Sequence, residues 1–182
     1  MNFFRSFILF LLFAIAAAAI TSLVLPARQH VERTTTINAR ASVIYQQLIK
    51  LENINKWLVW NQQDSAIKTI ITGTDGTIGA TSSWTGSPEL SGEGKMTLVA
   101  LESNRKVNHH LSFIKPRKGS AESVFSLQET NGQTKVSWAF DMATPRPWNI
   151  FNLFYSMDKK MGKDFETGLA ALKLAIENTR VL

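Results

Sequence analysis

The chain has 182 residues and a formal net charge of +6, long enough for one domain with its own core. It contains no cysteine, which excludes a disulfide framework, thiol catalysis and a cysteine-ligated metal. Arg5 and Arg28 lie before residue 31, leaving 18 basic and 14 acidic residues beyond it, net +4; these are scattered, densest at Lys115-Arg117-Lys118 and Lys159-Lys160-Lys163, so nucleic acid is not an expected partner.

Ser6 to Leu25 is a run of twenty residues without a charge. As a helix it spans about 30 Å, the thickness of a bilayer's hydrocarbon core. The rival reading is a cleaved signal peptide with its site near Ala17-Ala18-Ala19. The apolar run continues through Leu23-Val24-Leu25, which favours an uncleaved single-pass anchor. Arg5 flanks one side and Arg28, Arg33 and Arg40 the other, so charge codes orientation weakly. A short tail before one span argues for a domain outside the cytoplasm. The division expected is an anchor and linker over 1–29 and a domain over 30–182. With the anchor, a mildly basic domain has an anionic membrane surface as a partner.

His30 to Ile37 alternates and is rich in threonine, the pattern of a first strand. Ser42 caps a short helix running through Ile49. A second short helical piece, Leu51 to Trp57, leads to Trp60, and Asn61 to Ser65 is polar and loop-like. Six more strands follow: Ala66–Thr72, Ile78–Thr85, Leu90–Leu101, Lys106–Ile114, Ser120–Gln128 and Thr134–Met142. Asn131-Gly132 is a tight-hairpin signal. The chain ends in a long helical pattern, Pro147 to Glu177, with a break near Ser156. Phe154, Met161, Phe165, Leu169, Leu172 and Ile176 share one face of it. Gly162 and Gly168 sit inside, each costing about 1 kcal/mol relative to alanine, which points to local tolerance, close helix–sheet approach, or room left for a ligand. The order implies an α+β fold: one curved antiparallel sheet around a long C-terminal helix, with two small helices between strands one and two. The space between sheet and helix is a candidate cavity.

Four stretches carry a resemblance: VERTTTINARASVIYQQLIKLENINKWLVW, GTIGATSSWTGSPELSGEGKMTLVALE, TKVSWAF and DKKMGKDFETGLAALKLAIE. Within them Trp84-x-Gly86, Gly92-x-Gly94 and Phe165-Glu166-x-Gly168-Leu169 arrive in order. Over residues 30 to 178 the sequence resembles the START-like (SRPBCC) superfamily, in its polyketide cyclase/dehydrase and lipid-transport group. The resemblance implies the helix-grip fold, a seven-stranded antiparallel sheet gripping a C-terminal helix. It does not imply one activity, because the superfamily includes lipid carriers, hormone receptors, aromatic cyclases and co-chaperones.

Alternation places Met96, Leu98 and Ala100 on one face of their strand. It does the same for Val107, His109, Leu111 and Phe113, and for Val136, Trp138, Phe140 and Met142. With Trp84, Phe125, Phe154, Phe165 and Leu169 these either line a cavity or fill an ordinary core. Trp57 and Trp60 either form a lid at the cavity mouth, touch the bilayer, or pack on the sheet edge. Trp148, Phe151 and Tyr155 sit where the last strand hands over to the helix, and could reach lipid headgroups.

His109 and His110 point to opposite faces and cannot jointly chelate a metal from one strand. No metal and no other cofactor is expected. His109 is either a polar group that orients a ligand or a satisfied core or rim histidine. Glu93 is expected at the rim, Asp141 away from the apolar face and Glu166 half-buried. No carboxylate pair, nucleophile elbow or dinucleotide fingerprint is present. The reading favoured is a monomeric, membrane-tethered module that binds a hydrophobic small molecule or lipid. The alternatives are a cyclase- or dehydratase-type enzyme using His109 or Glu93 as base, and a protein-interaction module with a filled groove.

Overall fold

A computed structural model describes residues 2–178. The last four residues of the expected domain lie outside the described residues. Asn2–Val24 forms a continuous helix, α1, whose apolar stretch is almost wholly exposed. The rest is α+β. Strand β1 (Arg28–Ile37) precedes three short helices, α2 (Ala41–Ile49), α3 (Leu51–Trp57) and α4 (Val59–Gln63). Then come β2 (Lys68–Thr72), β3 (Thr81–Thr85), β4 (Glu93–Glu102), β5 (Lys106–Lys115), β6 (Gly119–Thr130) and β7 (Gln133–Ala143). A 3-10 helix (Trp148–Leu153) and the long helix α5 (Met157–Asn178) close the chain. The helix-grip architecture expected from the sequence is therefore present.

Helix α4 is one more small helix than the sequence suggests, and it lies partly in the stretch read as a loop. Leu58 is extended (φ −61°, ψ 125°), which stops α3 and starts α4. Asn61 and Gln62 then donate from their side-chain amides to the Asn55 and Lys56 carbonyls at 3.0 and 3.1 Å. Polar residues that look like loop are thus used to satisfy the exposed end of the preceding helix.

The seven strands form one antiparallel sheet in the order β1-β7-β6-β5-β4-β3-β2. The β6–β7 turn has positive φ at both Asn131 (52°) and Gly132 (77°), the geometry a two-residue hairpin requires. The register sets the two ends of the sheet. Arg28 opposes Ala143, Met142 opposes Ala121, Gly119 opposes Phe113 and Lys115 opposes Glu93. Glu93 in turn opposes Thr85, and Thr85 opposes Lys68. The start of β1, where α1 enters, therefore shares one end of the sheet with the β5–β6 and β3–β4 loops.

Helix α5 lies across the sheet. Phe165 is fully buried and its ring sits 4.1 Å from that of Trp138. Gly168 makes this approach possible: a Cβ there would lie 3.0 Å from the Trp138 ring. At Gly162 a Cβ would collide with the Arg33 guanidinium. Close approach accounts for Gly168, whereas at Gly162 the neighbour is the movable end of a flexible side chain. Arg33 bridges β1 to α5 by donating to Asp158 (2.7 Å) and Glu166 (2.8 Å). Glu166 is accordingly exposed, not half-buried, because the helical phase turns it toward Arg33 beside the buried Phe165. Phe154 departs from the expected apolar face. It caps the 3-10 helix ahead of α5, so α5's periodicity does not extend to it, and it is 86% exposed.

The α1 end of the sheet carries a polar joint. Ser22 is buried and donates to the Asn149 side-chain carbonyl at 2.7 Å. Asn149, fully buried in the 3-10 helix, donates back to the Ser22 carbonyl (2.8 Å) and the Leu25 carbonyl (3.1 Å). Arg146 donates to the carbonyls of Ser22 (3.0 Å) and Leu23 (3.2 Å). These groups satisfy the orphan carbonyls at α1's C-terminus, and a cation there also suits the helix dipole. Gln29 ties the same corner to α5, donating to Asn152 (2.6 Å) and accepting from the Met157 N–H (2.8 Å).

Candidate functional site

A cavity of about 380 Å³ lies between α3–α4, the inner face of the sheet and the start of α5. Eight of the aromatic and aliphatic residues singled out from the sequence line it. Trp60 comes from α4, Trp84 from β3 and Met96 from β4. Leu111 and Phe113 come from β5, Phe125 from β6, and Trp138 and Phe140 from β7. The alternation of each strand brings them to one face, and α3 and α4 hold the sheet at a distance.

The remaining candidates lie outside the lining. Trp57 is buried edge-on against Phe125 and Trp138, at 6.0 and 5.7 Å between ring centroids. Leu98, Phe165 and Leu169 are core. Phe154 is exposed on the outside. His109 is fully buried, edge-on to Phe125 at 6.0 Å. Neither of its ring nitrogens makes a hydrogen bond of good geometry among the described residues, the Leu48 backbone standing nearby without one. Burial therefore drives its pKa down to about 4, against weak support for the charged form from the Leu48 backbone, and keeps the ring neutral. As expected from alternation, the neighbouring His110 turns outward and meets Glu122 at 2.5 Å.

The polar groups at the cavity are ones the sequence reading passed over. Asn55 donates to the Ser82 hydroxyl at 3.0 Å, and Asn61 stands beside it. Ser123 accepts from the Trp138 indole N–H at 2.9 Å. Ser82 and Ser123 share a strand face with Trp84 and Phe125 two residues on, so alternation alone could have found them. Asn55 and Asn61 sit on short helices without a clear period, and nothing in the sequence marks them.

The mouth is formed by two loops, Pro88 to Ser91 between β3 and β4, and Lys115 to Arg117 after β5. Asp64, only 1% exposed, organises the first of these. It accepts from the Ser87 backbone (2.8 Å), the Ser87 hydroxyl (3.0 Å), the Ala66 backbone (3.0 Å) and, by a short bond, the Ser91 hydroxyl. The Ser91 hydroxyl above all, with the backbone N–H groups, holds the Asp64 carboxylate down to about 2. Gly86 is required beside it, since a Cβ would collide with both Ser91 and Asp64. Trp84 adds an indole N–H bond to the Ser91 carbonyl at 2.9 Å. Its ring occupies the space that a side chain at Gly94, directly opposite, would fill. Glu93 is not among the lining residues and is paired with Lys115, which is, at 2.8 Å.

No protein-family model and no curated protein sequence matches the chain. Solved structures do. A norcoclaurine synthase mutant from Thalictrum, in complex with a transition-state analogue, is 13% identical with a TM-score of 0.62, covering 84% of this chain and 96% of its own. The ginseng major latex-like protein 151 from Panax ginseng is 11% identical with a TM-score of 0.60, covering 83% and 99%. The Aha1 dimer from Colwellia psychrerythraea is 19% identical with a TM-score of 0.54, covering 81% and 96%. At these identities the likeness is one of fold alone: residues beyond the N-terminal helix share the helix-grip fold of these structures.

Proposed function

We propose that this chain is a membrane-tethered module that binds a hydrophobic small molecule or lipid in the cavity between sheet and C-terminal helix. The observation that carries the reading is the cavity itself. Its 380 Å³ falls in the range of small-molecule sites, with apolar walls and a few convergent polar groups. Binding is driven by burial of ligand surface against Trp60, Trp84, Met96, Leu111, Phe113, Phe125, Trp138 and Phe140, at about 25 cal/mol per Å² before ordering costs. Asn55, Asn61, Ser82 and Ser123 orient a polar end of the ligand. His109 serves the core, since it stands outside the lining. Residues 1–29 act as anchor and linker and 30–182 as the binding domain, a monomer held outside the cytoplasm. A catalytic role for His109 or Glu93 gains no support from a buried ring and a salt-bridged carboxylate.

The test is native mass spectrometry of the chain from Arg28 onward, purified without detergent, followed by organic extraction. A defined co-purifying lipid or other hydrophobe, displaced by excess of the same compound, is the expected result. A clean protein mass that takes up nothing from a lipid mixture would overturn the reading in favour of a filled interaction module.

A further inference from the structure

We propose that the joint between α1 and the 3-10 helix is a rigid orienting device: it seats the exposed aromatic face beside it in the headgroup layer of an anionic bilayer and turns the cavity mouth toward that layer. The proposal rests on the tethered, ligand-binding reading above and adds the direction in which the site faces.

A tether that only holds a domain near a membrane needs no side-chain contacts with it. Here α1 does not run into a slack linker. Its last turn is held by Ser22, Asn149 and Arg146, and only Leu25 to Ala27 separate it from β1. The Thr144 N–H closes on the Ala27 carbonyl at 2.9 Å, fixing the far side of that short connection. A serine and an asparagine buried in this way form a fully satisfied network, and such networks favour one geometry over its neighbours. Helix and domain are therefore set at a defined angle.

That angle brings an apolar surface to the end of the helix. Trp148 (62% exposed), Phe151 (57%) and Phe154 (86%) project from the segment that carries Asn149. Trp148 and Phe151 are stacked on one another, and Tyr155 follows under Lys160 at 4.8 Å. Large aromatics left open to water on a 3-10 helix that grips the end of an apolar span sit at the depth where a bilayer's interface begins. The surface is continuous with α1, and the bilayer that covers α1 covers it too.

The register supplies the rest. The α1 end of the sheet is also the end of the β5–β6 loop and the β3–β4 loop, the two segments that rim the cavity. Lys115, Arg117 and Lys118 are exposed there, with Leu90 60% exposed opposite them. Of the acidic residues on these loops, Glu93 is paired with Lys115, and Glu89 is the remaining one. The mouth thus combines an apolar lip with three exposed cations, Lys115, Arg117 and Lys118, a match for anionic headgroups over acyl chains. A hydrophobic ligand passes between bilayer and cavity there without crossing bulk water.

The experiment uses the full chain in nanodiscs of phosphatidylcholine and phosphatidylglycerol. Lipids brominated near the headgroup are expected to quench a tryptophan emission component that disappears in Trp148→Phe. The cysteine-free chain also accepts single labels. Strand β6 has 12 residues, and at ~3.3 Å per step its ends stand about 36 Å apart. A dye on Lys118→Cys is therefore expected to transfer energy strongly to a headgroup acceptor, and one on Thr130→Cys weakly. Ser22→Ala and Asn149→Ala are expected to narrow that difference while near-ultraviolet circular dichroism stays folded. Equal transfer from both labels, or no component lost in Trp148→Phe, overturns the proposal. Ligand extracted from the same discs separates the two readings: bound ligand with equal transfer sinks only the orienting joint, whereas unequal transfer without ligand sinks only the binding module.

Discussion

His109 is the most constrained titratable residue in the domain. Its neutral ring is buried without a hydrogen bond of good geometry, and its pKa falls from 6.5 to about 4. The unfolded chain takes up a proton near pH 6.5 that the folded chain refuses until near pH 4. The stability due to this residue is therefore complete above pH 6.5 and is lost as pH falls toward 4. The shift corresponds to about 3 kcal/mol, on the order of 1.4 kcal/mol per pH unit. Denaturant unfolding at intervals between pH 7 and pH 4 is expected to show this slope in the wild type and a flatter one in His109→Leu. Equal slopes would mean that the folded ring takes up its proton at the same pH as the unfolded one, and so is not shielded from water. The inward turn of His109 was legible from alternation along β5. Its distance from the cavity was not, because alternation assigns a face and says nothing of depth beneath the short helices. The same limit explains why Trp57, Leu98, Phe165 and Leu169 share an apolar face with residues of the cavity wall yet pack as core.

Helix α5 and the rim loops show what spacing carries at the level of elements. Gly168 lets the helix descend onto Trp138, and Trp138 is at once helix contact and cavity wall. Enlarging residue 168 is therefore a core insertion that pushes an indole toward the cavity. Gly168→Val is expected to cost roughly 1–3 kcal/mol of stability and to weaken uptake of a hydrophobic probe. Thermal unfolding and titration of the same sample check both, and an unchanged affinity at lowered stability would show that Trp138 does not yield inward. Strands β1, β6 and β7 and the long helix were readable because each runs ten residues or more, whereas β2 and β3 have only five residues each. The boundaries of β4 were harder. Its expected start at Leu90 instead belongs to the loop that Asp64 gathers, where Gly92 has a positive φ of 59°. Nothing local marks Asp64 as the organiser, since its partners Ser87 and Ser91 lie more than twenty residues away. Hydrogen bonds between distant loops leave no periodic trace in a sequence.

Taken whole, the molecule is an exposed apolar helix fixed to one end of an α+β domain. If α1 spans a bilayer uncleaved, the full chain remains in the membrane fraction after alkaline carbonate extraction, and a chain lacking residues 2–24 is released. Recovery of wild-type protein in the soluble fraction, shortened by proteolysis near Ala19, would show a signal peptide instead. The apolar run and its length were plain in the sequence. The joint was not, because Ser22 and Asn149 are ordinary polar residues separated by 127 positions until the fold brings them together.

The pairing of β1 with β7 has a consequence for the order in which the chain is made. Every other strand pair among the described residues joins neighbours in sequence, so β2 to β7 can zip up hairpin by hairpin. Strand β1 has no such neighbour. It leaves the ribosome directly behind α1 and must wait for the seventh strand before it finds its only ladder. Closure of that long loop is the entropically costly step, and it governs how fast the domain is completed. Throughout the wait, Thr34, Thr35 and Thr36 of β1 stand without a ladder partner, only a few residues beyond α1. The last ladder to form thus joins the first strand made to the seventh.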